Sequence, residues 1–364
     1  MTTQSIADST TRAWVEIDLG ALVRNGEALA RHARVPLVPM VKADAYGLGV
    51  VEVVRALSKL DPFGFGVATV EEGRELRTAG VERPVLAFTP LLPDDFAAAR
   101  EATLTPALGD PLAIAAWADG GGGPWHLAID TGMSRAGVRW DAIGSVADLV
   151  RRLPPEGAFT HFHSAELDDG SMALQEQRFR DAVAALPARP ALLHTDNSAA
   201  IVRRPPHQEP PWNIVRPGVF LYGIGVGSSA LLAPEPVVRV LARVVELRDV
   251  RAGEGVSYDA TWKASRSTRV ATLAIGYADG YRRSLGNVGS VLVHGARSPV
   301  VGTVTMDMTM CDVTGIPCAV GDVATLVGSE GAESMTVEDV AAACALSPYE
   351  ILTGLRQRLP RRYV

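Results

Sequence analysis

Lysine is scarce in this chain. Of 35 basic side chains only three are lysines, Lys42, Lys59 and Lys263, so any chemistry that needs a primary amine has three candidates. Lys42 stands apart from the other two. It follows the apolar run VPLVPMV at 35–41 and precedes the glycine-punctuated ADAYGLG. A lysine at the end of a buried strand is partly desolvated, which lowers its pKa and suits Schiff-base chemistry; a lysine that merely snorkels from a strand end has the same local sequence. Other residues invite comparison. His161-Phe-His163 with Glu166 would set two imidazoles on one side of a strand, as a metal site could. GIGVG at 223–227 approaches a dinucleotide loop, but it lacks the last glycine and a following helix. GMSRA at 132–136 nearly copies a nucleophile elbow, but it ends in alanine and has no supporting triad.

The elements that must position Lys42 follow from hydrophobic periodicity. From residue 14 to about 227, short apolar runs alternate with amphipathic stretches: VPLVPMV then VVEVVRALSKL, FGFGVAT then VEEGRELRTAG, PVLAFT then DDFAAAREA, LTPALGD then PLAIAAWA. HLAID at 126–130, GAFTHF at 157–162, ALLHTDN at 191–197 and IVRPGVFLYG at 214–223 read as further strands. Such alternation implies parallel strands with helical crossovers. About eight units predict a (β/α)8 TIM-type barrel, whose strand C-termini form the site-bearing face. Lys42 would lie there. GGGG at 120–123 falls inside the alternation and reads as a barrel loop.

The pattern changes at Pro234-Glu235-Pro236. Beyond it come VVRVLARVVEL, TRVATLAIGYA, GSVLVHG, PVVGTVTM and DVATLVG, with one clear helix, VEDVAAACA at 337–345. The expected organisation is therefore a barrel over 1–235 and a mainly antiparallel β domain over 236–364, with the extreme N-terminus free to join the β domain.

Composition bounds the function. The 364 residues carry a formal net charge of −6, with 47% hydrophobic and 21% charged residues. That suits a globular protein with a large core and argues against nucleic-acid binding by overall positive charge. Three cysteines, an odd number without zinc spacing, exclude a disulfide framework and favour a reducing, cytoplasmic compartment. No run reaches the roughly 20 apolar residues of a membrane span, and the N-terminal MTTQSIADSTTRAW has no apolar stretch of the secretory kind.

VKADAYGLG at 41–49 resembles the pyridoxal-phosphate lysine motif of the alanine racemase family, a barrel followed by a β domain. Further motifs resemble that family in the same order: DTGMSRAG (130–137), THF (160–162), QEQRF (175–179), NSAA (197–200), RPGVFLYG (216–223), VSYDATW (256–262), GYADGYRR (276–283), MD (306–307), and YEI with RLPRRY (349–363). The resemblance spans nearly the whole chain.

It implies a homodimeric enzyme that interconverts L- and D-alanine on pyridoxal 5'-phosphate, supplying D-alanine for peptidoglycan. Inversion at the α-carbon needs proton removal on one face and delivery on the other. By resemblance Lys42 serves one face, and Tyr258, supplied by the partner subunit, serves the other, assisted by a Tyr–His–Arg chain through His161 and Arg216. Arg216 would face the pyridine nitrogen and leave it unprotonated, because an arginine does not readily release its proton. The phosphate would lie among Tyr46, Asn197, Ser198, the amides of Gly218 and Val219, and Tyr349. Arg135, the backbone of Met306 and Asp307 would receive the substrate. Each has a plainer reading too: Asn197-Ser198 as a helix cap, Tyr258 as a loop aromatic, Arg216 as a salt-bridge arginine.

The sequence departs from the family pattern at four places. Ala128 stands where many members have a modified lysine that positions the carboxylate-binding arginine. Leu48 replaces a common histidine, Thr305 a frequent cysteine and Asp259 a usual glycine. The alternatives that stay open are a racemase of the same plan for serine or several amino acids, a non-catalytic pyridoxal-phosphate carrier, and a decarboxylase on a barrel-plus-β plan.

Overall fold

The computed structural model describes residues 11–205 and 212–364. The described residues divide into two compact units, one of residues 20–45, 49–205 and 212–235, the other of residues 11–19, 46–48 and 236–364.

The first unit is a parallel barrel. Phe65–Val67, Val85–Ala87, Leu104–Leu108, His126–Asp130, Gly157–Phe159 and Leu192–His194 pair in that order, all parallel. Two further extended segments close the ring through parallel bridges Met40↔Gly66, Leu37↔Val215 and Asn197↔Arg216. The first segment forms bridges instead of a regular ladder because Pro36 and Pro39 have no N–H to give. Three of its other donors are satisfied, Val38 by Val215, Met40 by Pro217 and Val41 by Gly66. The last segment is extended only as far as Arg216. Pro217 and Gly218 end it, and Val219–Tyr222 winds into a 3-10 turn, so of the strand expected over 214–223 only Val215 and Arg216 form bridges.

Helices cover this barrel for the reason their periodicity predicts. Val50–Leu57 buries Val50, Val53, Val54 and Leu57, spaced along one face; full burial of each such side chain is worth about 1.5–3 kcal/mol. Thr69 caps Val70–Thr78 and Asp110 caps Pro111–Asp119, each accepting a backbone N–H of the first turn.

The second unit is built on one long strand, Val238–Val250. It pairs antiparallel with Ala13–Ile17, Val323–Glu330 and Thr268–Leu273. Thr268–Leu273 also pairs antiparallel with Thr309–Asp312, and Ser290–Val293 forms a hairpin with Ala296–Pro299. Only Arg361–Tyr363, beside Ala13–Ile17, is parallel. The architecture is thus a (β/α)8 barrel with a separate, mainly antiparallel β unit. Ala13–Ile17 is a strand of the second sheet, an association the sequence left open; residues 1–10 lie outside the described residues. Two local readings change. PVVGTVTM at 299–306 contains only the end of one strand and a bridge from Val300 to Cys311. A second helix, Pro348–Thr353, follows Val337–Cys344, and its Ser347–Glu350 capping box is the sequence signal that marks it.

Candidate active site

The strand C-termini of the barrel unit surround a cavity of about 750 Å³ lined by Lys42, Phe88, Ala128, Arg135, Thr160 and His161, among others. Lys42 is the one lysine on its wall. Desolvation by those walls, aided by the Arg135 charge and opposed by Glu72, lowers the Lys42 pKa from its ordinary value. The amine is thereby brought toward the neutral, nucleophilic form.

The backbone that presents Lys42 is unusual. Ala43, Asp44, Ala45 and Tyr46 all have φ between 51 and 58°, so Lys42–Gly47 turns as a left-handed helix. Each non-glycine residue in that conformation costs about 1–2 kcal/mol, and such strain persists only where surrounding contacts impose it. Here Glu72 imposes it. Its carboxylate accepts the N–H of Ala43 at 2.7 Å and that of Ala68 at 2.6 Å, while the Asp44 side chain accepts the N–H of Val50 at 2.7 Å. Sequence reasoning placed Lys42 at a strand end and missed both the turn and Glu72.

Arg216 is 4% exposed. Nη1 donates to His194 Nδ1 at 2.6 Å and to the His194 carbonyl at 2.9 Å; Nη2 donates to the Thr160 and Thr195 carbonyls at 2.8 and 3.1 Å. A guanidinium has five N–H donors. Four are engaged, and Nε–H has no partner among the described residues. Phe88 and Phe159 flank the group at 5.7 and 5.2 Å. Burial lowers the Arg216 pKa to about 10, against the pull of Asp196, and the group stays cationic at neutral pH. It is a buried arginine, not a surface salt bridge.

His161 is half-buried, and its pKa is pushed down to about 3 by desolvation and by the charges of Arg216, Arg135 and Lys42. It is therefore neutral, a hydrogen-bonding group and not a cation. No hydrogen bond joins it to Arg216, whose η donors go elsewhere. Among the described residues no three His, Cys, Asp or Glu side chains converge on a possible metal position; His163 is exposed and bonds Ser164.

Ser198 is buried, and its Oγ accepts the N–H groups of Gly218 (2.8 Å) and Phe220 (3.4 Å). Its own proton has no acceptor among the described residues, so hydroxyl and amides gather at one point that an anion could share. Asn197 acts as a plain cap, accepting the Ala200 N–H. Arg135 is exposed and makes neither a hydrogen bond nor an ion pair with the described residues. With Ala128 in place of a lysine, no side chain orients it.

The second unit carries the remaining candidates. Tyr46 and Tyr349 lie side by side, with ring centroids 6.2 Å apart. Tyr258 is 68% exposed, on a loop in which Ser257, Asp259 and Ala260 have φ of 65, 61 and 39°. Asp259 therefore occupies a left-handed position where glycine is favoured and aspartate tolerated. Thr305 staples the turn that presents Met306 and Asp307: its Oγ1 accepts the Met308 N–H at 3.1 Å and donates to the Met308 carbonyl at 3.0 Å. Asp307 is paired with Arg358 at 2.7 Å. Leu48 is fully buried, with its carbonyl bonded by the Tyr363 hydroxyl.

The two units correspond to two family models. Residues 17–225 match the alanine racemase N-terminal domain, and residues 237–363 match the alanine racemase C-terminal domain. The chain belongs to the alanine racemase family. An alanine racemase of Deinococcus radiodurans is 39% identical over 359 residues, covering 96% of this chain and 99% of its own. One from a Nostoc species is 36% identical, covering 96% and 95%. Among solved structures, the alanine racemase of E. faecalis superposes with a TM-score of 0.91 at 31% identity, covering 97% of this chain and 98% of its own. That of Bartonella henselae, solved with covalently bound pyridoxal phosphate, gives 0.89 at 28% identity, covering 97% and 100%. The nearly-GxSxG segment is no elbow here: Asp130 Oδ1 accepts the Gly132 and Ser134 N–H groups in a loop.

Proposed function

We propose that this chain is a pyridoxal-phosphate-dependent alanine racemase acting as a homodimer with two composite sites, and that it supplies D-alanine for peptidoglycan from the cytoplasm. The observation that carries the reading is Lys42, an amine of depressed pKa on the wall of the barrel cavity, facing the unpartnered cation Arg135. All three cysteines are free, in keeping with a reducing compartment, and no helix of the described residues is long and apolar enough to cross a membrane.

The residues fit the cofactor's chemistry. A desolvated lysine suits covalent attachment, the one free donor of Arg216, Nε–H, suits a ring nitrogen, and the Ser198 hydroxyl with neighbouring amides suits a phosphate. Asn197, Gly218, Val219, Tyr46 and Tyr349 complete the set that would hold it. When bound, pyridoxal phosphate supplies an electron sink for the pair left behind when the α-proton departs.

The protein's own residues do the rest. Arg135 holds the substrate carboxylate in a charge-assisted pair, with the Met306 amide and Asp307 beside it. Lys42 Nζ takes or gives the α-proton on one face. Tyr258 Oη, contributed by the other subunit, does so on the opposite face. A phenol has an ordinary pKa near 10, so it needs a neutral hydrogen-bonding neighbour and nearby positive charge, and His161 and Arg216 supply these. Arg216, permanently charged, donates and does not hand over a proton, which tempers the electron sink and disfavours side reactions. Exposure of Tyr258, Met306, Met308 and Tyr349 on one unit supports a surface completed by a second copy.

Interconversion of enantiomers by the purified protein with pyridoxal phosphate, across a panel that includes alanine and serine, tests the reading. Alanine should turn over fastest in both directions. Carbon dioxide release, or cofactor binding without interconversion, would replace it with the decarboxylase or the carrier.

A further inference from the structure

Two histidines buried inside the barrel have no part in the scheme above. His126, on His126–Asp130, is 1% exposed, and His194, on Leu192–His194, is 0% exposed. His126 Nδ1 lies 2.7 Å from His194 Nε2, and His194 Nδ1 lies 2.6 Å from Arg216 Nη1. On the far side, Glu156 Oε2 is 3.8 Å from His126 Nε2, an atom with no closer polar partner. Glu156 immediately precedes Gly157–Phe159, so it stands at the N-terminal mouth of the barrel, opposite the Lys42 cavity. Its backbone is pinned to Trp125 and Leu192. Gly157 makes the line possible: a Cβ there would sit 2.6 Å from the His126 ring.

The direction of every bond follows from one fact, that a guanidinium only donates. His194 Nδ1 must therefore accept. A neutral imidazole has a single N–H, so the His194 proton is on Nε2, where it donates to His126 Nδ1. That atom in turn must accept, which puts the His126 proton on Nε2, aimed at the Glu156 carboxylate. Protonating either ring, or reversing either tautomer, sets N–H against N–H across 2.6 or 2.7 Å.

We propose that Arg216, His194 and His126 form a one-way hydrogen-bond relay through the barrel, and that the Glu156 carboxylate, 3.8 Å beyond its far end, favours the same two tautomers electrostatically and so helps orient Arg216. His194, His126 and Glu156 are positioning residues. Burial holds both imidazoles neutral, working in the same direction. Phe159 stacks on His194 at 5.1 Å and leaves the ring no second polar partner on that face. One charged group besides Arg216 and Glu156 bears on the line: Asp196 acts on Arg216, and no other carboxylate among the described residues acts on His126 or His194.

Histidine-selective ¹⁵N NMR on the cofactor-loaded protein tests this. Two rings should show a protonated Nε2 and a bare Nδ1, without titrating between about pH 5 and 8. Glu156 is 42% exposed, so its variants leave the core packed. Glu156→Gln keeps an acceptor oxygen and should keep the pattern. Glu156→Leu should lose the downfield Nε2–H signal of His126 and lower kcat several-fold with KM for alanine unchanged. A proton on Nδ1 of either ring, a His194 titration near its ordinary 6.5, or identical spectra for Glu156→Leu and the parent would overturn the relay. Only the kinetic arm rests on the racemase reading; the spectra decide the tautomers whatever the reaction.

Discussion

The Glu72 carboxylate accepts the backbone N–H of Ala43 at 2.7 Å. It thereby clamps the residue next to Lys42 and holds open a left-handed turn that four non-glycine residues would otherwise leave. Because its second oxygen holds Ala68 at the next strand end, the clamp ties the Lys42 backbone to the wall of the cavity. Lys42 is thus placed by a carboxylate thirty residues downstream and not by its own strand.

Lys42→Ala should abolish the visible absorption of the lysine-linked cofactor, whereas Lys59→Ala and Lys263→Ala should keep it. Borohydride reduction followed by peptide mapping locates the link. A reducible adduct persisting in Lys42→Ala would remove Lys42 from the role.

Tyr258→Phe should lower racemisation about 10²–10⁴-fold, the usual cost of losing a general acid or base, while cofactor binding stays nearly intact. The two bases serve opposite faces, so the isotope effect with α-deuterated substrate should change differently for the two enantiomers. A near-normal rate in the variant excludes Tyr258 from the chemistry.

Mixing inactive Lys42→Ala with inactive Tyr258→Phe should restore activity. In a heterodimer both lesions fall in one composite site and leave the other whole. With random exchange, half the dimers have one working site of two, giving about a quarter of wild-type activity by symmetry. No recovery after proven exchange means that each chain completes its own site.

Acid should destabilise the fold before the carboxylates titrate. His126, His161 and His194 all have pKa values below the ordinary 6.5, His161 at about 3, with burial the first cause in each. Below pH 6.5 the unfolded chain binds protons that the native rings refuse, so stability falls as pH falls, from about 6.5 toward 3. His161 contributes up to about 1.4 kcal/mol per pH unit across that window, and His126 and His194 act in the same direction. Urea midpoints measured from about pH 7.5 to 5 check the slope, and a flat profile contradicts the buried neutral rings.

Thr305→Val keeps the shape of the residue but removes both bonds to Met308. Loss of about 1 kcal/mol of turn stability should raise KM for alanine about fivefold with a smaller effect on kcat. An unchanged KM would show that the Met306-Asp307 turn holds itself.

Periodicity in the sequence determined the barrel's strand and helix order and the change to antiparallel structure after Pro236, because burial on one face or both is written into the spacing of apolar residues. The scarcity of lysine and its place at a strand end singled out Lys42, and the ordered motifs carried Arg135, Arg216 and Tyr258. Tertiary structure alone decided the rest. Ala13–Ile17 joins the second sheet because its partners, Leu241 and Arg361 among them, lie more than two hundred residues away. The left-handed turn after Lys42 has no local signature, since alanine, aspartate and tyrosine favour φ < 0 on their own and Glu72 must hold them. His126 and His194 look like ordinary strand residues until the closed ring points both rings inward. The closed ring brings Arg216 to one end of their line and the Glu156 carboxylate near the other. Periodicity tells which face a side chain leaves by; only the packed barrel fixes what it meets there.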